Sequence, residues 1–331
     1  AFDPDGRVTH AMDPGLTPLL RDGAAALANF EPQTGRPIGH CAAGLVLVEE
    51  SDLGDLVDAA WLGRRGLSHP GPARHLETGA LVDPVRTHAE VLALARTRGA
   101  ITRPGTRVQA LVLEDGRVVG VETDRGPCTA DHVVLTSATA AAELLAGDPL
   151  PLAAEPWIQH AHPSGLVRAE AGLASTGTAA LPPGGLAAIG DLAGDPLALE
   201  AFFATGEPLD APHPALLFGG GRLVAPNPAA GELVLVAPAD AEDLAERAPG
   251  HTDLGEPRVT RGLHHHTPDQ RPLVGPHPTR PGLWLALGLG RPAALLAPAL
   301  APGLLAHLRD LPVAPYDPAL LAPGRFGASE R

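Results

Sequence analysis

Gly282-Leu-Trp-Leu-Ala-Leu-Gly-Leu-Gly-Arg-Pro-Ala-Ala-Leu-Leu-Ala-Pro298 is the stretch around which the rest of the chain is organised. Leu283 to Leu287 is too short for a free-standing helix and suits a buried strand, and the glycines after it mark a turn. Pro292 falls where a first-turn proline does no damage to the Ala/Leu-rich helix that follows. Strand, turn, helix is the local reading. It sets a helix N-terminus at the turn, where unpaired backbone N–H groups and the positive pole of the macrodipole stabilise a negative group without any special side chain.

Gly288-Leu-Gly-Arg-Pro-Ala293 also matches G-x-G-x-x-A, the turn that opens a dinucleotide-binding βαβ unit. That unit needs a second parallel strand ending in an acidic residue about 20 positions on. Here the chain runs instead into Leu311-Pro-Val-Ala-Pro-Tyr-Asp-Pro318. The motif is half complete, and no parallel strand is expected after residue 310.

Composition narrows the function classes. The chain has 331 residues, 44% of them hydrophobic, and a net charge of -14 whose positive part comes entirely from arginine. Such a surface repels a polyanion, which disfavours a nucleic-acid role. No uncharged apolar run reaches the ~18 residues of a membrane span, and no basic start with an apolar core opens the chain. A cytoplasmic compartment is expected. Cys41 and Cys128 have neither C-x-x-C nor zinc spacing and read as buried thiols.

Working outward from the opening stretch, Leu16 to Phe30 carries apolar residues at helical spacing and ends at Thr34-Gly35, and Gly44 to Val48 is a short β-rich run. Ser51 reads as the cap of a helix from Asp52 to Gly63. Leu81-Val-Asp-Pro84 leads into a helix from Val85 to Arg98 closed by Gly99. Thr106–Leu113 and Val118–Glu122 flank Asp115-Gly116, a hairpin signal. His132 to Thr136 reads as a third strand, followed by a small-residue turn and a helix to Leu145. Pro149 to Gly220 has the weakest periodicity and reads as irregular sheet and loops. Strands return at Arg222–Ala225 and Glu232–Val236, with a helix near Ala239 to Ala248.

From Ala11 or so onward, this order of pieces resembles the FAD-dependent amino-acid oxidase family, which includes glycine oxidase, D-amino-acid oxidase and sarcosine oxidase-like proteins. Gly79-Ala-Leu-Val-Asp-Pro84 looks like the family's "V-D-P" start of a helix. Arg103 to Val108 with Glu114 to Val121 looks like its flavin-domain hairpin, and Ala130 to Leu135 like the strand before its second glycine turn. Gly262-Leu-His-His-His-Thr-Pro-Asp269 with Pro272-Leu-Val-Gly275 resembles "G-L-R-P-x-T-P-D-G-x-P-x-I-G", and the opening stretch resembles "A-x-G-H-x-R-N-G-I-L-L-A-P".

The resemblance implies α/β plus β: a two-domain flavoprotein of the amino-acid oxidase type with an incomplete FAD-binding domain. Residues 79–148 with 257–310 would form a partial FAD-binding domain, 11–78 with 149–256 a substrate domain, and 311–331 a C-terminal tail. It implies FAD contacts at Val108, Ala138, Gly288, Leu289, Gly290, Arg291, Pro292 and Ala293. The expected reaction is oxidation of a small amino acid or amine to an imine, with a small-molecule amine or amino acid as substrate and neither nucleic acid nor membrane as partner.

Several positions depart from the family. Its N-terminal G-x-G-x-x-G, which holds the FAD pyrophosphate, has no counterpart in this sequence, so the chain reads as a fragment or as a relative that dropped its nucleotide. Ala138 replaces a glycine, Ala140 a tryptophan, and Leu223 a tyrosine. His264 stands where the family's carboxylate-binding arginine stands, and a neutral imidazole cannot form the bidentate pair of a guanidinium. Arg291 is a substitute anion clamp or an exposed arginine. His264 and His266 would share one face of a strand, but no third metal ligand follows by spacing, so no metal is expected. The alternative function is a non-catalytic, subunit-like relative that no longer binds FAD.

Overall fold

The computed structural model describes residues 14–40, 42, 44–47, 55–58, 60–61, 73–76, 79–80, 82–163, 215–218, 222–227, 232–238, 258–290, 292–309, 311 and 316–326. The helices among them are α1 (Thr17–Thr34), α2 (Pro84–Thr97), α3 (Ala138–Leu144), α4 (Ala293–Leu308) and the short α5 (Pro318–Leu321). The chain clusters into two units. One takes in Ala28–Glu90 and Pro156–Leu263, and the other takes in Ala11–Leu27, Val91–Glu155 and His264–Arg331.

The first unit is built on an eight-stranded sheet. In chain order its strands are β1 (Leu45–Leu47), β2 (Asp55–Val57), β3 (Ala73–Leu76), β8 (Ala153–Pro163), β9 (Ala215–Phe218), β10 (Arg222–Asn227), β11 (Glu232–Pro238) and β12 (Arg258–His266). Their order across the sheet is β12-β8-β11-β10-β9-β1-β3-β2. The β10–β11 hairpin pairs Leu223 with Val236 and Asn227 with Glu232, and β1 runs parallel to β9 and antiparallel to β3.

One sequence expectation fails in this unit. The helix expected from Asp52 to Gly63 is, at Asp55–Val57, the strand β2. Its three residues pair antiparallel with β3, Leu56 opposite Arg74. A run of Asp-Leu-Val has little helical preference of its own, so a partner strand decides its conformation. The stretch from Pro149 read as irregular sheet and loops contributes the eleven-residue strand β8, which pairs with β11 from Trp157 to Pro163. The helix expected near 239–248 lies outside the described residues.

In the second unit β4 (Val108–Glu114), β5 (Arg117–Thr123) and β6 (Cys128–Thr129) form one antiparallel sheet. Asp115 and Gly116 both take positive φ, 49° and 78°, as a two-residue hairpin turn that follows the strand twist requires. Cys128 is a half-buried free thiol and not the buried one expected. The other sheet has the order β13-β14-β7, from β13 (Leu273–Pro276), β14 (Leu283–Leu287) and β7 (Val133–Leu135).

β14 is the centre of that sheet, antiparallel to β13 and parallel to β7. Leu283, Leu285 and Leu287 turn to one face and are buried, joining Val118, Leu135, Ala141, Leu145, Leu273 and Phe326 in one core. Gly282, at φ 84°, begins the strand; a β-carbon there would lie 2.2 Å from the Val118 carbonyl oxygen. Val118 N–H of β5 donates to the Pro281 carbonyl at 2.8 Å, so one glycine lets the two sheets meet at the start of β14.

Helix ends follow their caps. Asp83 Oδ1 accepts from the N–H groups of Val85 and Arg86, and Ser137 Oγ accepts from Ala140 N–H. No helix among the described residues is long and apolar enough to cross a membrane.

Candidate functional site

β7 and β14 run parallel in register up to Leu135 opposite Leu285, and each then turns into a helix. β7 leads through Thr136 and Ser137 into α3, and β14 leads through Gly288–Gly290 into α4. Two helix N-termini, at Ala138 and Ala293, therefore stand at the carboxyl ends of adjacent parallel strands. Open α/β sheets bind ligands outside such strand ends.

β13 runs the other way, with Leu273 opposite Leu287. Its antiparallel direction delivers the turn Thr267–Pro272, and the end of β12 before it, to the same edge. Gly290 N–H donates to the His265 carbonyl at 3.0 Å, which ties the two segments together. The structure thus brings the Gly288–Gly290 turn next to the His264–His266 segment. His264 is half-buried on β12. Ala138 is the first residue of α3, and Val108 opens β4 opposite Thr123, 36% exposed. Arg291 lies outside the described residues.

The glycine turn is shaped by backbone. Gly288 and Gly290 have φ of 68° and 61°, values that cost a residue with a side chain roughly 1–2 kcal/mol. A β-carbon at Gly288 would lie 3.0 Å from Leu152 Cδ2 and 3.5 Å from Thr267 Cγ2. At Gly290 the nearest atoms are Pro292 Cδ at 3.7 Å, then the His265 carbonyl and His266 Cβ at 3.9 Å. At Gly290 these are ordinary van der Waals distances, so there the positive φ, and not crowding, is what calls for glycine.

The helix end itself is more closed than its sequence suggests. Ala293 N–H donates to the Gly290 carbonyl at 3.3 Å, and Leu295 N–H and Leu296 N–H both donate to the Pro292 carbonyl. Pro292, the N-cap, has no N–H to offer and makes no side-chain cap bond. The sequence reading left these amides free for a ligand, whereas the turn uses Ala293's. The attraction for negative charge then rests more on the α4 dipole than on direct donors.

Behind the turn is a polar network. Arg325 donates from Nε to Asp269 Oδ2 at 2.8 Å and from Nη2 to Asp269 Oδ1 at 2.9 Å, a two-pronged pair. It also reaches the carbonyls of Arg271, Pro272 and Ala322. Thr267, fully buried, has its hydroxyl 2.7 Å from both Asp269 Oδ1 and the Arg271 carbonyl. Burial pushes the Asp269 carboxyl up, but the bonds from Arg325, Thr267 and Arg271 N–H, with the Arg325 charge, outweigh it and hold the group at about 2.

Because the folded value lies below the ordinary one, the Asp269 contribution is complete above about pH 4 and is lost as pH falls through about 2. Asp269→Asn is expected to cost about 2 kcal/mol at neutral pH, the size of a charge-assisted hydrogen bond, and to flatten the acid limb between about pH 4 and 2. Urea unfolding at a series of pH values measures both.

Sequence reasoning found the turn through its glycines but missed this network. Thr-Pro-Asp is visible as a turn, while Arg325 lies 56 residues from its partner with no local signal.

Residues 6–308 match the family described as DAO, FAD dependent oxidoreductase. The chain belongs to that family. A match over that span does not favour the non-catalytic alternative. YurR, an uncharacterized oxidoreductase of Bacillus subtilis (strain 168), is 28% identical over 259 residues, which cover 74% of this chain and 60% of the relative. The chain thus spans less than two thirds of that protein's length.

Among solved structures, iminodiacetate oxidase (IdaA) from Chelativorans sp. BNC1 matches with a TM-score of 0.68 at 18% identity, over 96% of this chain and 86% of that one. Glycine oxidase from Geobacillus kaustophilus matches with 0.67 at 18% identity, over 97% and 86%. L-amino acid deaminase from Proteus vulgaris, lacking its specific insertion sequence, gives 0.65 at 15% identity, over 96% and 82%. At these identities the likeness is one of fold.

The family's FAD can be tested against the residues present. Left-handed Gly288 and Gly290 and the α4 N-terminus fit the ring-binding end of the cofactor. No second glycine turn suited to its pyrophosphate occurs among the described residues. Nor does any group of three His, Cys, Asp or Glu there stand close enough to hold a metal ion.

Proposed function

We propose that this protein binds FAD at the edge formed by β7–α3 and β14–α4 and oxidises the C–N bond of a small amino acid or N-substituted glycine to an imine. The observation that carries the reading is the pairing of the left-handed Gly288–Gly290 turn with the end of β12, in a chain of the FAD-dependent oxidoreductase family. FAD, when bound, supplies the hydride acceptor for the carbon bearing the amine.

The chain's own residues do the rest. Gly288, Leu289, Gly290, Pro292 and Ala293 would hold the ring edge, and Ala138 and Val108 would hold more distant parts of the cofactor. The positive end of α4 favours negative charge at the turn. His264 and Arg291 would orient a substrate carboxylate, His264 as the weaker counterpart of an arginine at the same place in the motif.

That last assignment separates amino acids from simple amines. His264→Arg is expected to lower KM for a carboxylate-bearing substrate about tenfold, the worth of one good charge-assisted contact. It should leave KM for the matching amine without a carboxylate nearly unchanged. Equal KM for the carboxylate substrate before and after the substitution would contradict the assignment. The broader proposal is tested by mixing the FAD-loaded protein anaerobically with glycine, N-methylglycine and small D- and L-amino acids. One of them should bleach the flavin absorbance.

A further inference from the structure

Arg325 lies beyond the residues that match the family, in the turn that closes the described chain. Its side chain is 13% exposed, and its guanidinium meets both oxygens of Asp269 and three backbone carbonyls. Arg271 N–H also donates to Asp269 Oδ1, and Gln270 N–H to the Thr267 carbonyl. The whole turn 267–272 is therefore fixed from one side by one arginine. Gln270 holds a φ of 58° within it, a conformation that a side chain keeps only where its surroundings enforce it.

The other side of the same turn carries the candidate site. Thr267 Cγ2 would be 3.5 Å from a β-carbon on Gly288, and His265, two residues before Thr267, holds Gly290 N–H through its carbonyl. Arg325 binds Asp269 directly, Asp269 binds Thr267, and the His265 carbonyl two residues before Thr267 binds Gly290 N–H, all within one unit.

We infer that Arg325 is a positioning residue: it locks the 267–272 turn and, through Thr267 and the end of β12, sets the backbone of the Gly288–Gly290 turn. Its meaning for cofactor binding rests on the proposed function. Its effect on the backbone does not. Lysine cannot replace it, because one ammonium cannot span both carboxylate oxygens and the three carbonyls at once.

The experiment compares Arg325→Met and Arg325→Lys with Val118→Ala, a core substitution at the opposite end of β14, by hydrogen exchange of the protein without added FAD and by FAD titration. In both Arg325 variants the Gly290 amide should exchange at least about tenfold faster relative to the Leu285 amide, and FAD affinity should fall about tenfold. Val118→Ala should lower the melting temperature with neither change. Exchange at Gly290 that keeps pace with Leu285 in the Arg325 variants overturns the inference. If Arg325→Met does not fold, Arg325→Lys decides the question alone. A wild-type protein that takes up no FAD contradicts the proposed function, while the exchange comparison still judges Arg325.

Discussion

Gly23→Ala is expected to lose about 3 kcal/mol of stability or more, although alanine is the better helix former by about 1 kcal/mol. Gly23 is buried in α1, where a β-carbon would lie 1.8 Å from the Leu295 carbonyl oxygen and 2.7 Å from its carbonyl carbon. Backbone atoms, unlike the tip of a long side chain, cannot rotate out of the way. The first turn of α4 would have to move, and with it the segment leading from Gly288 to Ala293. Thermal or urea unfolding measures the loss. A stability equal to or above wild type would show that α1 and α4 do not approach as closely as the structure has them.

The second large effect is on the turn itself. Gly288→Val is expected to abolish FAD uptake, lowering affinity at least about a hundredfold, or roughly 2.7 kcal/mol. Two causes act together. A β-branched residue at φ 68° is strained, and its β-carbon would press on Leu152 Cδ2 and Thr267 Cγ2. Gly290→Ala isolates the backbone part, because its β-carbon would meet nothing closer than 3.7 Å. It should cost roughly 1–2 kcal/mol of stability through the positive φ alone. It should also weaken FAD binding, since relief of that strain shifts the backbone of the turn. Retention of full FAD affinity in both variants would place the cofactor elsewhere.

Much of the site's frame was legible in the sequence, for reasons that are local. Leu283–Leu287 is bounded by glycines whose positive φ few other residues tolerate, so the strand ends where the text says it does. Asp115-Gly116 is likewise a short-range signal found in its expected role, and the helices expected after Pro84 and up to Leu145 are present, capped by Asp83 and Ser137. The failures are all non-local. Asp55–Val57 became a strand because β3 lies beside it, and β8 was hidden because its pairing with β11 is not written in its own Pro-interrupted text. β13, β14, α4 and α5 all lie between Asp269 and Arg325, so these partners cannot be matched by spacing. The use of Ala293 N–H inside its own turn depends on the left-handed path through Gly290, which a sequence marks as permitted but does not impose.

The central claim is that the Gly288–Gly290 edge belongs to a working FAD site. The most direct measurement is FAD titration of the protein purified from its full native coding sequence, followed by absorbance and by quenching of flavin fluorescence. The account predicts one FAD per chain, lost in Gly288→Val while Val118→Ala keeps it. A protein that is folded by circular dichroism yet carries no flavin absorbance and takes up no added FAD would contradict it.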